Sequence, residues 1–556
     1  MASGDDPLLP RRRDFLARMG GTAAAAAGLT GALPASVAAH DDDNDVHDFH
    51  VPGTSRRAQD AFQVRLKAAL FQMKNGTSQH RSNGDERRYE NKIGSFSKNL
   101  PHNGNGEVDP AAFDALVHAM QTADPADFEL IPLGGTGKLS NPQAGFAFGF
   151  CGADTQASPL RVPPRFDSAE TAAEMVELYW AALGRDIPFD AYATDSTIAA
   201  AAAELSTLVD FRGPKAGGLV TPGTIFRGTT SGDLVGPFIS QLLWKQISYG
   251  PYAVDQKVRI ALPATSDINA DFLWNYDEWL SVQNGRTPLP RTQVISATRR
   301  YIITARDLTE WLHRDFSHQA GTNAVFILVG SGVPLAPGNP YLTSLTQLGN
   351  FTLGMSQILD LVASVANLSL QAAWYHKWSV HRRVRPEEFG GSIRNREVLG
   401  LPRPIHPQVL GSQALSRIKT RYGSALLPMP YAEGCPVHPA YPAGHATFAG
   451  AWATILKAFF DNDTPMTGTV VPDSTGSTLM SYTTMPLKAG DEINKLASNI
   501  AIGRIPAGVH WRSDSDQGLR LGEECAIAVL QDMRRTWNES FVGFSFKKFD
   551  GTPVTI

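Results

Sequence analysis

Residues 438–447 read HPAYPAGHAT, and this stretch decides how the rest of the chain is interpreted. Pro442 and Gly444 predict a turn, and the apolar residues from His445 to Phe460 predict a helix that begins directly after it. The first N–H groups of a helix have no partner inside the helix and form the positive end of its dipole. The sequence therefore predicts an anion-binding turn at Gly444, with His445 beside it.

Two further segments contribute positive charge and imidazole to the same prediction. The segment KWSVHRRVRPE begins at Lys377 and contains Arg385, and the segment GRIPAGVHWRSD contains Arg504 and His510. Arginine presents a planar fork suited to oxyanion oxygens, and lysine adds a further positive charge. Each segment alone has an ordinary explanation as solvated or structural residues. Together the three segments predict a site for a tetrahedral oxyanion such as phosphate or vanadate.

The ionisable side chains of these segments have distinct expected roles. His510 can place one ring nitrogen on the central atom of the oxyanion, and Asp514, one helical turn later, can hold the other nitrogen and fix the tautomer. His445 can act as the acid–base partner on the opposite side. Arg504 is expected to need a buried carboxylate, and Asp307 is the candidate for that role.

The three segments together resemble the superfamily that joins phosphatidic-acid-type acid phosphatases with vanadium-dependent haloperoxidases. The pattern of that superfamily is Lys followed by Arg-Pro, then Pro-Ser-Gly-His, then Arg with five residues before His and an Asp after it. The resemblance extends to the bromoperoxidase branch of seaweeds and cyanobacteria through the longer Lys-to-Arg-Pro spacing, the additional histidine His438 and the pocket position Trp374. Similar segments also lie upstream, at residues 83–86, 98–102, 174–180 and 234–241.

The resemblance implies a mainly α-helical protein, a helical bundle of the vanadium haloperoxidase and acid phosphatase type with few short strands. It implies that vanadate is held by Lys377, Arg385, the Gly444 N–H and Arg504, with His510 as the apical ligand of the metal. His445 would help to deprotonate hydrogen peroxide, and Lys377 would polarise the bound peroxide. Bromide or iodide would then be oxidised to hypohalous acid, which halogenates an organic acceptor. No haem is expected.

Position 443 departs from the family pattern, because Ala443 stands where the family has serine. The missing hydroxyl normally donates to a vanadate oxygen, and a hydrogen bond to a charged acceptor contributes about 1.5–3 kcal/mol. Two alternatives stay open beside the haloperoxidase, the first because the three motifs alone do not separate the two chemistries and the second because of Ala443. One is an acid phosphatase in which His510 accepts the phosphoryl group and His445 protonates the leaving alcohol. The other is an impaired oxyanion-binding homologue.

Helical periodicity dominates the remainder of the chain. The spacing of apolar residues predicts helices over residues 168–180, 198–209, 353–378, 445–460, 492–505 and 516–537. Alternating strand patterns are few and short. We therefore expect an N-terminal helical wrapping region over residues 56–300 and a catalytic helical bundle over residues 301–556.

The first 39 residues resemble a twin-arginine export signal. The basic cluster that includes Arg12 and Arg13 precedes an Ala-rich run, and small residues up to Ala39 suit a signal peptidase. A mature chain beginning near His40 and a periplasmic or secreted location are expected. Residues 40–55, rich in Asp and His, predict a flexible leader, and no other stretch is apolar and long enough to span a membrane.

Composition excludes several other classes of protein. The 556 residues carry a formal net charge of −4, which gives no general affinity for nucleic acid. The three cysteines form no CxxC pair, so a zinc knuckle is disfavoured while one disulfide remains possible. No Asp or Glu lies between Asp315 and Asp360, so no calcium is expected in that stretch. The family resemblance implies a homo-oligomer.

Overall fold

The computed structural model describes residues 54–77, 79–261, 270–287 and 295–556. The predicted export signal and residues 40–53 of the predicted leader lie outside this part of the chain. The first described helix begins at Thr54, and residues from Phe62 to Ile556 form one compact unit. Among the described residues, no helix combines the length and the apolar character needed to cross a membrane. The predicted division near residue 300 stays a prediction.

The described chain is mainly α-helical, which confirms the predicted fold class. The helices, in chain order, are α1 Thr54–Asn75, α2 Asp85–Arg88, α3 Pro110–Thr122, α4 Pro125–Glu129, α5 Ala169–Gly184, α6 Ser196–Thr207, α7 Tyr276–Gln283, α8 Ala305–Arg314, α9 Gln319–Gly330, α10 Met355–Trp374, α11 Pro386–Leu399, α12 Pro407–Leu410, α13 Gln413–Tyr422, α14 Gly444–Phe459, α15 Ala489–Ile502 and α16 Arg512–Met533. Short 3-10 turns lie at Pro142–Phe146, Phe189–Ala191, Gln241–Leu243 and Pro340–Leu342.

The strands of the described residues form short antiparallel pairs that do not join into a larger sheet. The pairs are β1 Ile247–Tyr249 with β2 Tyr252–Val254, β3 Val258–Ala261 with β4 Ile295–Arg300, β5 Val470–Pro472 with β6 Leu479–Ser481, and β7 Ser545–Lys547 with β8 Pro553–Thr555. Because these two-stranded pairs are small, the fold depends mainly on helix packing.

Helix α14 packs against α10, α15 and α16. Its contact with α16 depends on glycines that let the two backbones approach closely. A side chain at Gly450 would collide with the carbonyl of Leu519, and a side chain at Gly522 would collide with the carbonyl of Thr447. The close packing of these two helices brings the start of α14 next to the start of α16.

The helix predicted over residues 353–378 is confirmed over most of its length, but it is α-helical only up to Trp374. Helix α10 ends at Trp374, and the chain continues as a wider π-helical turn over Tyr375–His381. That turn ends at Arg382, whose backbone adopts a left-handed conformation with φ of 38°. Side chains in a π-helical turn project in directions different from those that a continued α-helix would give them. This turn contains Lys377 and therefore determines the direction in which Lys377 projects.

Candidate anion-binding site

Three cationic side chains lie together in the interior. Lys377 and Arg385 are completely buried, and Arg504 is 3 % exposed. Among the described residues, none of the three forms an ion pair with a carboxylate, and the Nε of Arg504 is buried without a hydrogen-bond acceptor. An unpaired buried charge is costly, so the residues present fit an anion that supplies the missing negative charge.

Backbone carbonyls partly compensate these cations. The Nζ of Lys377 donates to the carbonyls of Pro439 and Ala440, at 2.7 and 2.9 Å. The Nη1 of Arg385 donates to the carbonyl of Val509 at 2.6 Å. Burial, and then the charge of Arg385, lower the pKa of Lys377 well below its usual value. The cations therefore oppose one another, and an anion between them would relieve that repulsion.

His510 presents one ring nitrogen to this cluster. Its Nδ1 lies 2.9 Å from Oδ2 of Asp514, as the helical spacing predicts, and its Nε2 lies 3.0 Å from Nη1 of Arg385. The carboxylate accepts a hydrogen bond from the Nδ1–H, and the guanidinium donates to Nε2, so the lone pair is on Nε2. Burial and the charge of Arg385 lower the pKa of His510 well below its usual value. A neutral imidazole with a lone pair on Nε2 is the form that binds a metal.

The first turn of α14 completes the site. The N–H groups of Gly444, His445 and Ala446 donate to no N-cap side chain, because Ala443 at the N-cap position has no side-chain acceptor. The N–H of Ala443 donates to the carbonyl of Asp514 at 2.9 Å. This bond joins the turn to the start of α16, so the free N–H groups and the imidazole of His510 belong to one rigid arrangement.

His445 has a carboxylate partner that the sequence does not reveal. Its Nε2 lies 3.0 Å from Oδ1 of Asp315, which follows the last residue of α8. Burial and then the charge of Arg504 lower the pKa of His445, while Asp315 acts in the opposite direction. Asp315 is 130 positions away in the chain and belongs to no motif, so no sequence signal identifies it.

The prediction that Asp307 pairs with Arg504 is wrong. Asp307 lies in the first turn of α8, where its carboxylate accepts the N–H of Thr304 and pairs with Arg300 at 2.9 Å. Arg504 instead donates from Nη1 to the carbonyl of Leu312 at 2.8 Å, near the other end of the same helix. The last carbonyls of a helix have no partner inside the helix and carry partial negative charge, so they can stabilise a cation without a carboxylate.

His438 and Trp374 form one wall of the cluster. Their ring centroids are 4.7 Å apart, and the Nη2 of Arg385 lies 2.9 Å from Nδ1 of His438. The Nζ of Lys377 lies 5.7 Å from the Trp374 ring centroid. Burial and the charges of Lys377 and Arg385 lower the pKa of His438 well below its usual value. The structure therefore places both predicted pocket residues beside the cations.

Comparisons with known proteins show which proteins this chain is similar to. A family model described as the second helical-bundle domain of VCPO matches residues 410–539. The vanadium-dependent bromoperoxidase of Corallina pilulifera is 33% identical, with 90% of this chain and 98% of that protein covered. The enzyme of the same name from Ascophyllum nodosum is 33% identical, with 90% and 93% covered. The homohexameric structure of the second vanadate-dependent bromoperoxidase of A. nodosum superposes with a TM-score of 0.86 at 28% identity, over 94% of both chains.

Replacing Asp315 by Asn tests the pairing with His445. Because the Asp315 carboxylate raises the pKa of His445 against the effect of burial, Asp315→Asn is expected to lower that pKa further. An NMR titration of the labelled histidines in the anion-free protein measures this value. Asp307→Asn is the matched control and leaves the His445 titration where it was, because Asp307 contacts Arg300 and the start of α8. An equal shift in both variants would contradict the assignment.

Ala443→Ser tests how the turn meets the anion. A serine hydroxyl at this position can donate to an oxyanion oxygen and is expected to tighten vanadate binding by about tenfold to a hundredfold. Vanadate titrations of the anion-free protein measure the affinity, and Ala443→Gly controls for loss of the methyl group. If the serine variant gains thermal stability but no affinity, the hydroxyl caps the free N–H groups of α14 instead, and position 443 does not face the anion.

Proposed function

Because the chain belongs to the vanadium-dependent bromoperoxidase family, we propose that it oxidises bromide or iodide with hydrogen peroxide to hypohalous acid, which halogenates an organic acceptor. The observation that carries the proposal is the cluster of three buried cations that have no carboxylate partner among the described residues and one of which, Arg385, contacts Nε2 of His510. Such a cluster suits an oxyanion whose central atom binds an imidazole, and vanadate is that anion.

The residues present fit vanadate. Lys377, Arg385, Arg504 and the N–H of Gly444 would hold its oxygens, and Nε2 of His510 would bind the metal. Vanadium(V) held there would supply a Lewis acid that makes hydrogen peroxide a better acceptor of the halide's electrons. Arg385 now lies against Nε2 of His510 at 3.0 Å, so this arginine must exchange that contact for an oxyanion oxygen.

The chain itself supplies proton transfer and positioning. A neutral His445 takes a proton from incoming hydrogen peroxide, and Asp315 holds its ring at 3.0 Å and stabilises the imidazolium that results. Lys377, fixed by two backbone carbonyls, stabilises negative charge on the oxygens. The wall formed by Trp374 and His438 limits the space that a halide can occupy beside Lys377.

We also propose that the protein is a homo-oligomer. The structurally similar A. nodosum enzyme is a homohexamer. Helix α1 bears an apolar stripe along one face, with exposed side chains at helical spacing: Phe62, Leu66, Leu70 and Met73. The opposite face contacts α16, where Gln72 donates to the carbonyl of Ala528. A second copy of the chain would bury this stripe.

His510→Ala separates the candidate functions. The variant is expected to lose peroxide-dependent bromide oxidation in the presence of vanadate by at least about a thousandfold, because it lacks the metal ligand. A colour assay with peroxide, bromide and vanadate measures this, beside a nitrophenyl phosphate assay. His118→Ala is the control, since His118 is an exposed residue of α3. Phosphate-ester hydrolysis without bromide oxidation in the unmodified protein would instead identify an acid phosphatase.

Export is the remaining proposal, and it rests on the sequence before residue 40. The paired arginines and the small-residue site support transport of the folded protein to the periplasm or beyond. Replacing Arg12 and Arg13 together by Lys is expected to leave the protein in the cytoplasm. Cell fractionation with detection of the full chain measures the distribution. Export at the unmodified level would refute the twin-arginine assignment.

A further inference from the structure

We propose that Glu174 and Arg383 are positioning residues for His510. They form a buried chain of charged groups that holds Asp514 in the orientation in which it fixes the imidazole. The proposal rests on the proposed function in so far as His510 binds vanadate. The structural part, the control of the His510 ring by residues that do not touch it, stands on contacts alone.

Arg383 links two carboxylates that come from distant parts of the chain. Its Nη1 donates to Oδ1 of Asp514 at 2.7 Å, and its Nη2 donates to Oε2 of Glu174 on α5 at 3.0 Å. Glu174 accepts a second bond from the N–H of Ser513 at 2.6 Å. Asp514 is completely buried, and Glu174 and Arg383 are at most 5 % exposed, so water does not substitute for any of these contacts.

Each oxygen of Asp514 has a separate task. Oδ1 accepts from Arg383, whereas Oδ2 accepts from Nδ1 of His510 at 2.9 Å and from the N–H of Trp511 at 3.0 Å. A carboxylate with one oxygen bound to a fixed guanidinium cannot rotate without losing both sets of bonds. Arg383 therefore dedicates Oδ2 to the imidazole, and that bond keeps the lone pair on Nε2, where the metal binds.

Glu174 decides which of two neighbouring arginines serves the anion. Arg383 and Arg385 lie two positions apart, and both guanidinium groups reach the region of His510. Arg385 has no carboxylate partner among the described residues, whereas Arg383 is held between Glu174 and Asp514. Without Glu174, Asp514 alone would balance the positive charge of Arg383. The stronger attraction between Arg383 and Asp514 would weaken the hydrogen bond between Asp514 and His510.

Glu177 supplies a matched control on the same helix face. It lies one turn after Glu174, is completely buried, and pairs with Arg512 in the first turn of α16, with 2.9 Å between Oε2 of Glu177 and Nε of Arg512. Its partner does not contact Asp514 or His510. Glu177→Gln therefore removes the same charge from the same helix, and it removes a contact to the same region of α16. It leaves the Arg383–Asp514 link in place.

The experiment compares Glu174→Gln with Glu177→Gln in the full-length protein. Vanadate affinity is measured by titration of the vanadate-free protein, and the ring state of His510 by solid-state NMR of 15N-labelled histidine, with the His510 signal assigned by its loss in His510→Ala. We expect Glu174→Gln to weaken vanadate binding by about tenfold to a hundredfold and to increase the population with the proton on Nε2. Bromide turnover per bound vanadate is expected to change by less than about threefold.

The control and a second variant keep the result decisive. Glu177→Gln is expected to leave the His510 signal as it is in the unmodified protein and to change vanadate affinity by less than about twofold. This holds even if its melting temperature falls as far as that of Glu174→Gln. Arg383→Lys retains the charge but lacks the planar fork whose two Nη atoms reach Asp514 and Glu174, so it is expected to weaken vanadate binding as Glu174→Gln does. Equal effects of Glu174→Gln and Glu177→Gln, or an unchanged His510 signal in Glu174→Gln, would overturn the proposal. A protein without bromide oxidation that still shows the selective NMR change would refute the proposed function alone.

Discussion

The enclosure of Lys377, Arg385 and Arg504, with no carboxylate partner in the described part of the chain, is the constraint on which the site depends. Burial removes Lys377 from water and lowers its pKa, and repulsion from the charge of Arg385 lowers that pKa further. Packing elsewhere in the bundle must offset this cost, and backbone carbonyls reduce it at each cation. An anion is the one partner that satisfies all three charges together, so the affinity for an oxyanion is a property of the folded interior rather than of any single residue.

The glycine contact between α14 and α16 gives this cluster its geometry. Because Gly450 and Gly522 allow the helix backbones to touch, the two helix starts lie side by side and the N–H of Ala443 bonds to the carbonyl of Asp514. One helix start contributes free N–H groups and the other contributes an imidazole. The same packing provides a rigid frame for groups that arrive from distant segments, which is what a preorganised site requires.

Among the described residues of the candidate site, the carboxylates pair with the two histidines rather than with Lys377, Arg385 and Arg504. Asp514 fixes His510, and Asp315 fixes His445. Arg504 is stabilised instead by the carbonyl of Leu312 near the end of α8. Keeping carboxylates off the three cations preserves their charge for a ligand, whereas carboxylates on the histidines set which ring nitrogen carries a proton.

The sequence by itself determined the residue types, their order and the local geometry of the site. It predicted the helix that begins after Pro442, the cations at 377, 385 and 504, and the pairing of Asp514 with His510, because these depend on turns and on residues one helical turn apart. Only the tertiary structure decided the long-range pairings, such as Asp315 with His445. It also replaced the expected Asp307 partner of Arg504 by a helix end. The physical reason is that an ion pair depends on distance and burial in three dimensions, and chain spacing reports these only for residues within one helical turn or one hairpin.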